Sequence, residues 1–191
     1  MDIAEWHLGT RRPTIGVMGG DVSCDELTKP LGRLIATRGW NLLTGGGEGV
    51  MSSVASAFQS TPHEGVSIGI IRGKATETPA RTYAPNKKPN PYVDIAIFTH
   101  LPDSGSDGKL RTSRNHINVL SSHVVVGLPG GGGTESEIQL AMEYQVPLVL
   151  LLGQHTVNKQ TAKQLVAGYS NARVTIATVG TLEAAIAAYL R

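Results

Sequence analysis

The chain has 191 residues, 40% of them apolar and 17% charged, enough for a sizeable core and too apolar for disorder. The formal net charge is +2, no basic stripe interleaves with aromatics, and only two Phe and two Trp are present, which argues against a nucleic acid polymer as partner. Cys24 is the only cysteine, so no intramolecular disulfide can form. With no apolar leader and no run of the roughly 20 apolar residues a membrane helix needs, the expected location is cytoplasmic, without a membrane partner.

Short apolar runs alternate with helical patterns. Residues 14–19 (TIGVMG) predict a strand, and 25–38 predict a helix with Pro30 in a first turn or at a kink. Residues 40–44 (WNLLT) predict a second strand, ending in Gly45, Gly46 and Gly47. A helix over 50–58 and a strand over 65–71 follow. Residues 72–92 carry Pro79, Pro85, Pro89, Pro91 and Lys87–Lys88, and read as an irregular, functional or mobile excursion. A strand over 93–99 leads through the loop PDSGSDG to a predicted helix over 109–121. Residues 123–128 (HVVVGL) predict the next strand. Then come the glycine segment LPGGGGTESE, a helix to about Tyr144, and a strand over 147–152. A helix over 156–168, a strand over 174–178 and a helix over 181–190 close the pattern.

Several of these strands are continuous apolar runs, as strands covered on both faces are. The alternation predicts one domain over 1–191, an α/β Rossmann-like open, mostly parallel sheet with helices on both faces. Such sheets bind ligands outside the carboxyl ends of their strands. Three glycine clusters fall at predicted strand ends: Gly19–Gly20, the run from Gly45 to Gly49, and Gly130–Gly131–Gly132–Gly133. Each precedes a helix, whose N-terminus offers free N–H groups and about half a positive charge. The expectation is a phosphorylated small-molecule ligand with its phosphate at the third cluster, because Glu48 in the second would repel it. The pattern is neither a dinucleotide fingerprint nor a P-loop.

Glu137 has two readings. Thr134 and Glu137 have capping-box spacing, in which Thr134 caps the helix and Glu137 reaches back to it. Alternatively, Glu137 projects into the crevice and acts on water or on a developing cation. Arg111 and Arg114 stand three apart, on one face of the predicted helix opposite Ile117, Leu120 and Leu110, and an arginine fork suits a phosphate or carboxylate. The six histidines show no metal-ligand spacing, so no metal is expected; His123 reads as structural.

The run from Pro129 to Glu137 resembles the PGGxGTxxE motif of the "lysine decarboxylase-like", or LOG, superfamily. Residues 44–51 (TGGGEGVM) are similar to its earlier glycine segment, and the resemblance spans 14–152. One branch, the LOG-type enzymes, hydrolyses the N-glycosidic bond of nucleoside 5′-monophosphates without a cofactor. That resemblance implies Arg114 and Glu137 as the catalytic pair. Ligand-binding positions would be Gly19, Gly20, Gly45, Gly46, Gly47, Arg111, Asn115, Gly130, Gly131, Gly132, Gly133 and Thr134. Asn115 stands where that branch has a lysine. The other branch, the molybdenum cofactor carriers and their relatives, has asparagine after the arginine, as here, and residues 90–97 (NPYVDIAI) look more like it. This branch implies the molybdenum cofactor as a bound ligand. Both imply a homodimer or higher homo-oligomer. A pyridoxal-phosphate lysine decarboxylase is not expected, because no lysine sits in or beside a glycine cluster.

Overall fold

Each apolar run pairs parallel with its neighbours in a computed structural model that describes residues 11–73 and 89–190. The strands are β1 (Thr14–Met18), β2 (Asn41–Thr44), β3 (Ser67–Ile71), β4 (Ile95–Phe98), β5 (Val124–Gly127), β6 (Leu148–Leu150) and β7 (Val174–Ile176). The helices are α1 (Asp25–Thr37), α2 (Val50–Gln59), α3 (Asn115–Leu120), α4 (Gly132–Glu143), α5 (Ala162–Val166) and α6 (Leu182–Ala187). The order across the sheet is β4-β3-β2-β1-β5-β6-β7. The chain steps outward from β1 to β4, then crosses back to the other edge of β1. Ile15 therefore has Leu42 as partner on one side and Val124 on the other. The gap between β1 and β5 is the topological switch point, where open α/β sheets form their crevice.

Strand residues alternate between two cores. Ile15, Val17, Val124 and Val126 pack with Leu31, Ile35, Val54, Phe58 and Ile186, from α1, α2 and α6. Met18, Val125, Leu148 and Leu150 pack with Val119, Ile138 and Leu165, from α3, α4 and α5. Burial on both faces is why these strands read as unbroken apolar runs; each fully buried Val, Leu or Ile contributes about 1.5–3 kcal/mol. The expected Rossmann-like α/β architecture is the one found, with all the described strands parallel.

Pro30 lies in the interior of α1, so of its two expected places the first turn is not the one it takes. The helix boundaries need two corrections. The helix predicted over 109–121 forms only over Asn115–Leu120, with a single 3₁₀ turn over Gly105–Asp107 before it. Short polar side chains compete with the helix there. Ser113 Oγ takes the Asn115 N–H at 3.1 Å, and the Thr112 hydroxyl bonds the Asp103 carboxylate. The helix predicted over 156–168 begins only at Ala162, behind a capping box of Thr161 and Gln164. The residues before it turn through positive φ at Asn158 and Lys159. Of the excursion over 72–92, residues 74–88, with Pro79, Pro85 and Lys87–Lys88, lie outside the described residues. No helix among the described residues is long and apolar enough to cross a membrane.

Candidate anion-binding cleft

The first and third glycine clusters meet at the switch point. The Gly20 N–H donates to the Pro129 carbonyl at 3.0 Å, and a Cβ on Gly20 would lie 2.9 Å from Gly130 Cα. Only glycine allows these two loops to touch. The second cluster interlocks with them: Val50 donates its N–H to the Gly20 carbonyl at 3.0 Å, and Gly49 turns into α2 at φ +67°. A side chain at Gly19 would collide with Val50.

Above these loops lies a cleft of about 690 Å³, within the usual range of ligand pockets. Of the predicted residues, Gly19, Gly20, Gly45, Arg114, Asn115, Gly131, Gly132, Gly133, Thr134 and Glu137 line it. Gly46 and Gly47 are buried behind it, Glu48 is exposed, and Gly130 faces a neighbouring cavity. Arg111 is exposed and outside the cleft. It precedes α3, so it shares no helical face with Arg114, which corrects that pairing. Of the face expected opposite, Ile117 is half-buried and packs against the second core, but the rest is reversed. Leu110 and Leu120 are exposed, while Arg114, Asn115 and Asn118 are buried. His123 is structural, its Nδ1 accepting the Thr14 N–H at 3.1 Å.

The capping box predicted for Thr134 and Glu137 does not form. The glycines let α4 start at Gly132, with Gly131 as its N-cap and no side-chain cap. Thr134 is already the third helical residue. The first intrahelical bond near this end runs from Glu135 to the Gly131 carbonyl at 3.0 Å. The N–H groups of Gly132, Gly133 and Thr134 therefore have no intrahelical acceptor and open on the cleft. No atom would come within 4 Å of a Cβ on Gly131, so there is room above these donors.

Arg114 faces them. It is 6% exposed, and its Nε and Nη1 have no hydrogen-bond partner. Its guanidinium meets Gly45 end-on: a Cβ there would fall 2.7 Å from Cζ and closer still to both Nη1 and Nη2. Burial pushes the Arg114 pKa down, the Glu137 carboxylate holds it up, and Arg72 pushes it down further. Arginine's ordinary pKa is so high that the group stays a cation at neutral pH. Glu137, 8% exposed, accepts from Asn118 Nδ2 at 2.8 Å. A buried cation with unsatisfied donors is costly unless an anion completes it.

Several lining residues escaped the sequence reading. Arg72, past β3, donates to Ser104 Oγ at 2.8 Å. Ser104, Gly105 and Ser106 bring the loop after β4 over the cleft, tied to α4 by Ser136 Oγ donating to the Gly105 carbonyl at 3.2 Å. Asn158 forms part of the wall, its N–H bonded to the Gly130 carbonyl at 2.8 Å. Asn118, buried behind the wall and bonded to Glu137, also escaped, although it stands four residues after Arg114. Among the described residues, no group of three His, Cys, Asp or Glu could hold a metal.

The sheet order and the cleft position define a Rossmann-like α/β protein with its crevice at the switch point. Residues 12–186 match the SLOG cluster4 family, and the chain belongs to that family, within the SLOG/LOG-like superfamily. An uncharacterized protein of Archaeoglobus fulgidus is 35% identical over 135 residues, which are 68% of this chain and 73% of that one. Two solved structures are similar throughout. The molybdenum cofactor binding protein of the phototrophic bacterium Rippkaea orientalis is 34% identical with a TM-score of 0.67, over 95% of this chain and 99% of its own. The molybdenum cofactor carrier protein of Chlamydomonas reinhardtii is 30% identical with a TM-score of 0.67, over 94% and 99%.

Proposed function

We propose that the cleft binds a phosphorylated, pterin- or nucleotide-like small molecule, and that the chain is a molybdenum cofactor carrier or binding protein. The observation that carries this reading is the buried Arg114, with two unpartnered nitrogens, in one cleft with the uncapped N-terminus of α4. In this reading the phosphate sits on the N–H groups of Gly132, Gly133 and Thr134. Arg114 closes on its acidic oxygens, and the loop bearing Ser104 and Ser106 covers the ring system. The cofactor is cargo, and Glu137 keeps Arg114 charged and in place. The two relatives named for this cofactor, similar along almost their whole length, support the same ligand. The test is retention. Cofactor released from a molybdoenzyme is mixed with the protein without oxygen, and molybdenum and pterin fluorescence are followed through gel filtration. Co-elution that Arg114→Ala abolishes is the expected result; no co-elution with the parent protein refutes the reading.

A second reading, N-glycosidic hydrolysis of nucleoside 5′-monophosphates, is favoured by Arg114 and Glu137 lining one cleft. Glu137 would then support an oxocarbenium-like transition state, and losing it would lower the rate by about 10²–10³-fold. Base release from a panel of monophosphates, with Glu137→Ala as control, tests it. The proposal includes a homodimer or larger homo-oligomer. Leu110, Leu120 and Tyr144 are exposed near one another, with His116 bonded to both the Leu110 carbonyl and the Tyr144 hydroxyl. Sedimentation of Leu120→Lys against the parent tests that face.

A further inference from the structure

The cleft continues past its glycine wall. Gly20, Asp21 and Gly131 line it, and the same three residues line a second cavity of about 520 Å³. That cavity lies between the start of α1 and the loop after β6. Val22 and Pro129 give it apolar walls, and Cys24 is buried beside them. Its polar groups include Asp21, Ser23, Thr156 and a pair formed by His155 Nε2 and Glu26 Oε1, 2.9 Å apart.

The ridge between the cavities carries glycines. Gly20 and Gly130 are pressed together, and the space around Gly131 is open. Just behind the ridge lie the free N–H groups of α4. Each cavity is large enough for a nucleoside-sized group, and the anion site lies where they join. An apolar-walled compartment reached across an anion-binding ridge suits a group attached through phosphate. Asp21 stands at the ridge in both cavities, where its carboxylate can accept from the hydroxyls of a ribose beside a phosphate bridge.

We propose that the cleft and the second cavity together hold a diphosphate-bridged, dinucleotide-type ligand. The diphosphate crosses the Gly20–Gly131 ridge, one ring system lies in the main cleft, and a nucleoside lies in the second cavity. The base packs against Val22 and Pro129, while His155 and Glu26 offer a donor and an acceptor to its polar edge. This inference rests on the phosphate site proposed for α4.

Calorimetric titrations with adenosine monophosphate and with diadenosine diphosphate test it on the parent, Thr156→Trp and Arg114→Ala. Thr156 is exposed, and its carbonyl rather than its side chain bonds Gly130, so the indole fills the second cavity without touching the main cleft. Diadenosine diphosphate should bind at least about tenfold more tightly than the monophosphate. Thr156→Trp should remove that advantage, while Arg114→Ala weakens binding of both probes. If Thr156→Trp does not fold, Val22→Trp, at a position 81% exposed, replaces it. Monophosphate binding that depends on Arg114, with no advantage for the dinucleotide or an advantage that survives the tryptophan, overturns this inference and leaves the phosphate site standing. Binding of neither probe, or binding indifferent to Arg114→Ala, overturns both.

Discussion

Gly45→Ala adds one methyl group, and the structure says where it goes. An ideal Cβ there lies 2.7 Å from Arg114 Cζ and closer still to both terminal nitrogens. Carbon contacts settle at about 3.5–4.0 Å, so the guanidinium must move by about 1 Å. Arg114 is 6% exposed, and the open direction is the cleft. Overpacking typically costs about 1–3 kcal/mol; here the side chain can yield into the cleft, so the lower end is expected. In the proposed binding mode, the displaced cation then stands where the ligand's acidic oxygens would lie. Affinity for a phosphorylated ligand should fall at least about tenfold, or about 1.4 kcal/mol. Urea unfolding gives the first quantity and calorimetric titration the second. A variant as stable as the parent that binds equally well would show that Arg114 does not pack on Gly45, and would refute the account of the cleft floor.

Gly131→Ala is the converse: nothing crowds that position, so stability should fall by less than about 1 kcal/mol while binding weakens, both read by the same two measurements. Gly130→Ala should lower the urea midpoint by the equivalent of about 1–3 kcal/mol, because its Cβ would lie 2.8 Å from the Gly20 nitrogen, a backbone atom that cannot step aside; an unchanged midpoint would show that the two loops are not locked. Glu135 accepts from Asn158 Nδ2 at 2.6 Å and from the Gln160 amide, holding the positive-φ turn at Asn158–Lys159, so Glu135→Ala should cost about 1 kcal/mol and speed tryptic cleavage after Lys159. Burial raises the Cys24 pKa, with Glu26 and then Asp25 adding to it. Its reaction with iodoacetamide should therefore be slow at neutral pH and climb only above the ordinary thiol value of about 8.5; a rate equal to that of a free thiol at pH 7 would refute this.

The strands were legible because burial on both faces leaves no polar interruption, as in 124–127. The cleft was legible because Gly19, Gly20 and Gly131 stand where strands hand over to helices. Local spacing misled at two places. Thr134 and Glu137 have the letters of a capping box, but flexible glycines upstream extended the helix past them. Thr161 and Gln164, without such glycines, form a real one. Arg111 and Arg114 have helical spacing, but Ser113 and Thr112 bonded locally and delayed the helix. Arg72, Ser104 and Asn158 were invisible for another reason. They approach the cleft from different strand ends, and only the sheet order brings them together.

The pairing of β1 with β5 also bears on how the molecule assembles. Ile15 and Val124 are neighbours in the sheet but lie more than half the chain apart. Contacts so distant in sequence form late, after their loop-closure entropy has been met. On a ribosome, β1 to β4 can pair before β5 has emerged. The cleft floor at Gly20 and Gly45 then waits for Arg114 and the start of α4. A ligand that touches both parts binds only after they have docked, and it adds to the stability of that union. Ligand binding is thus a readout of completed folding, and ligand present during refolding should raise the yield of native chain.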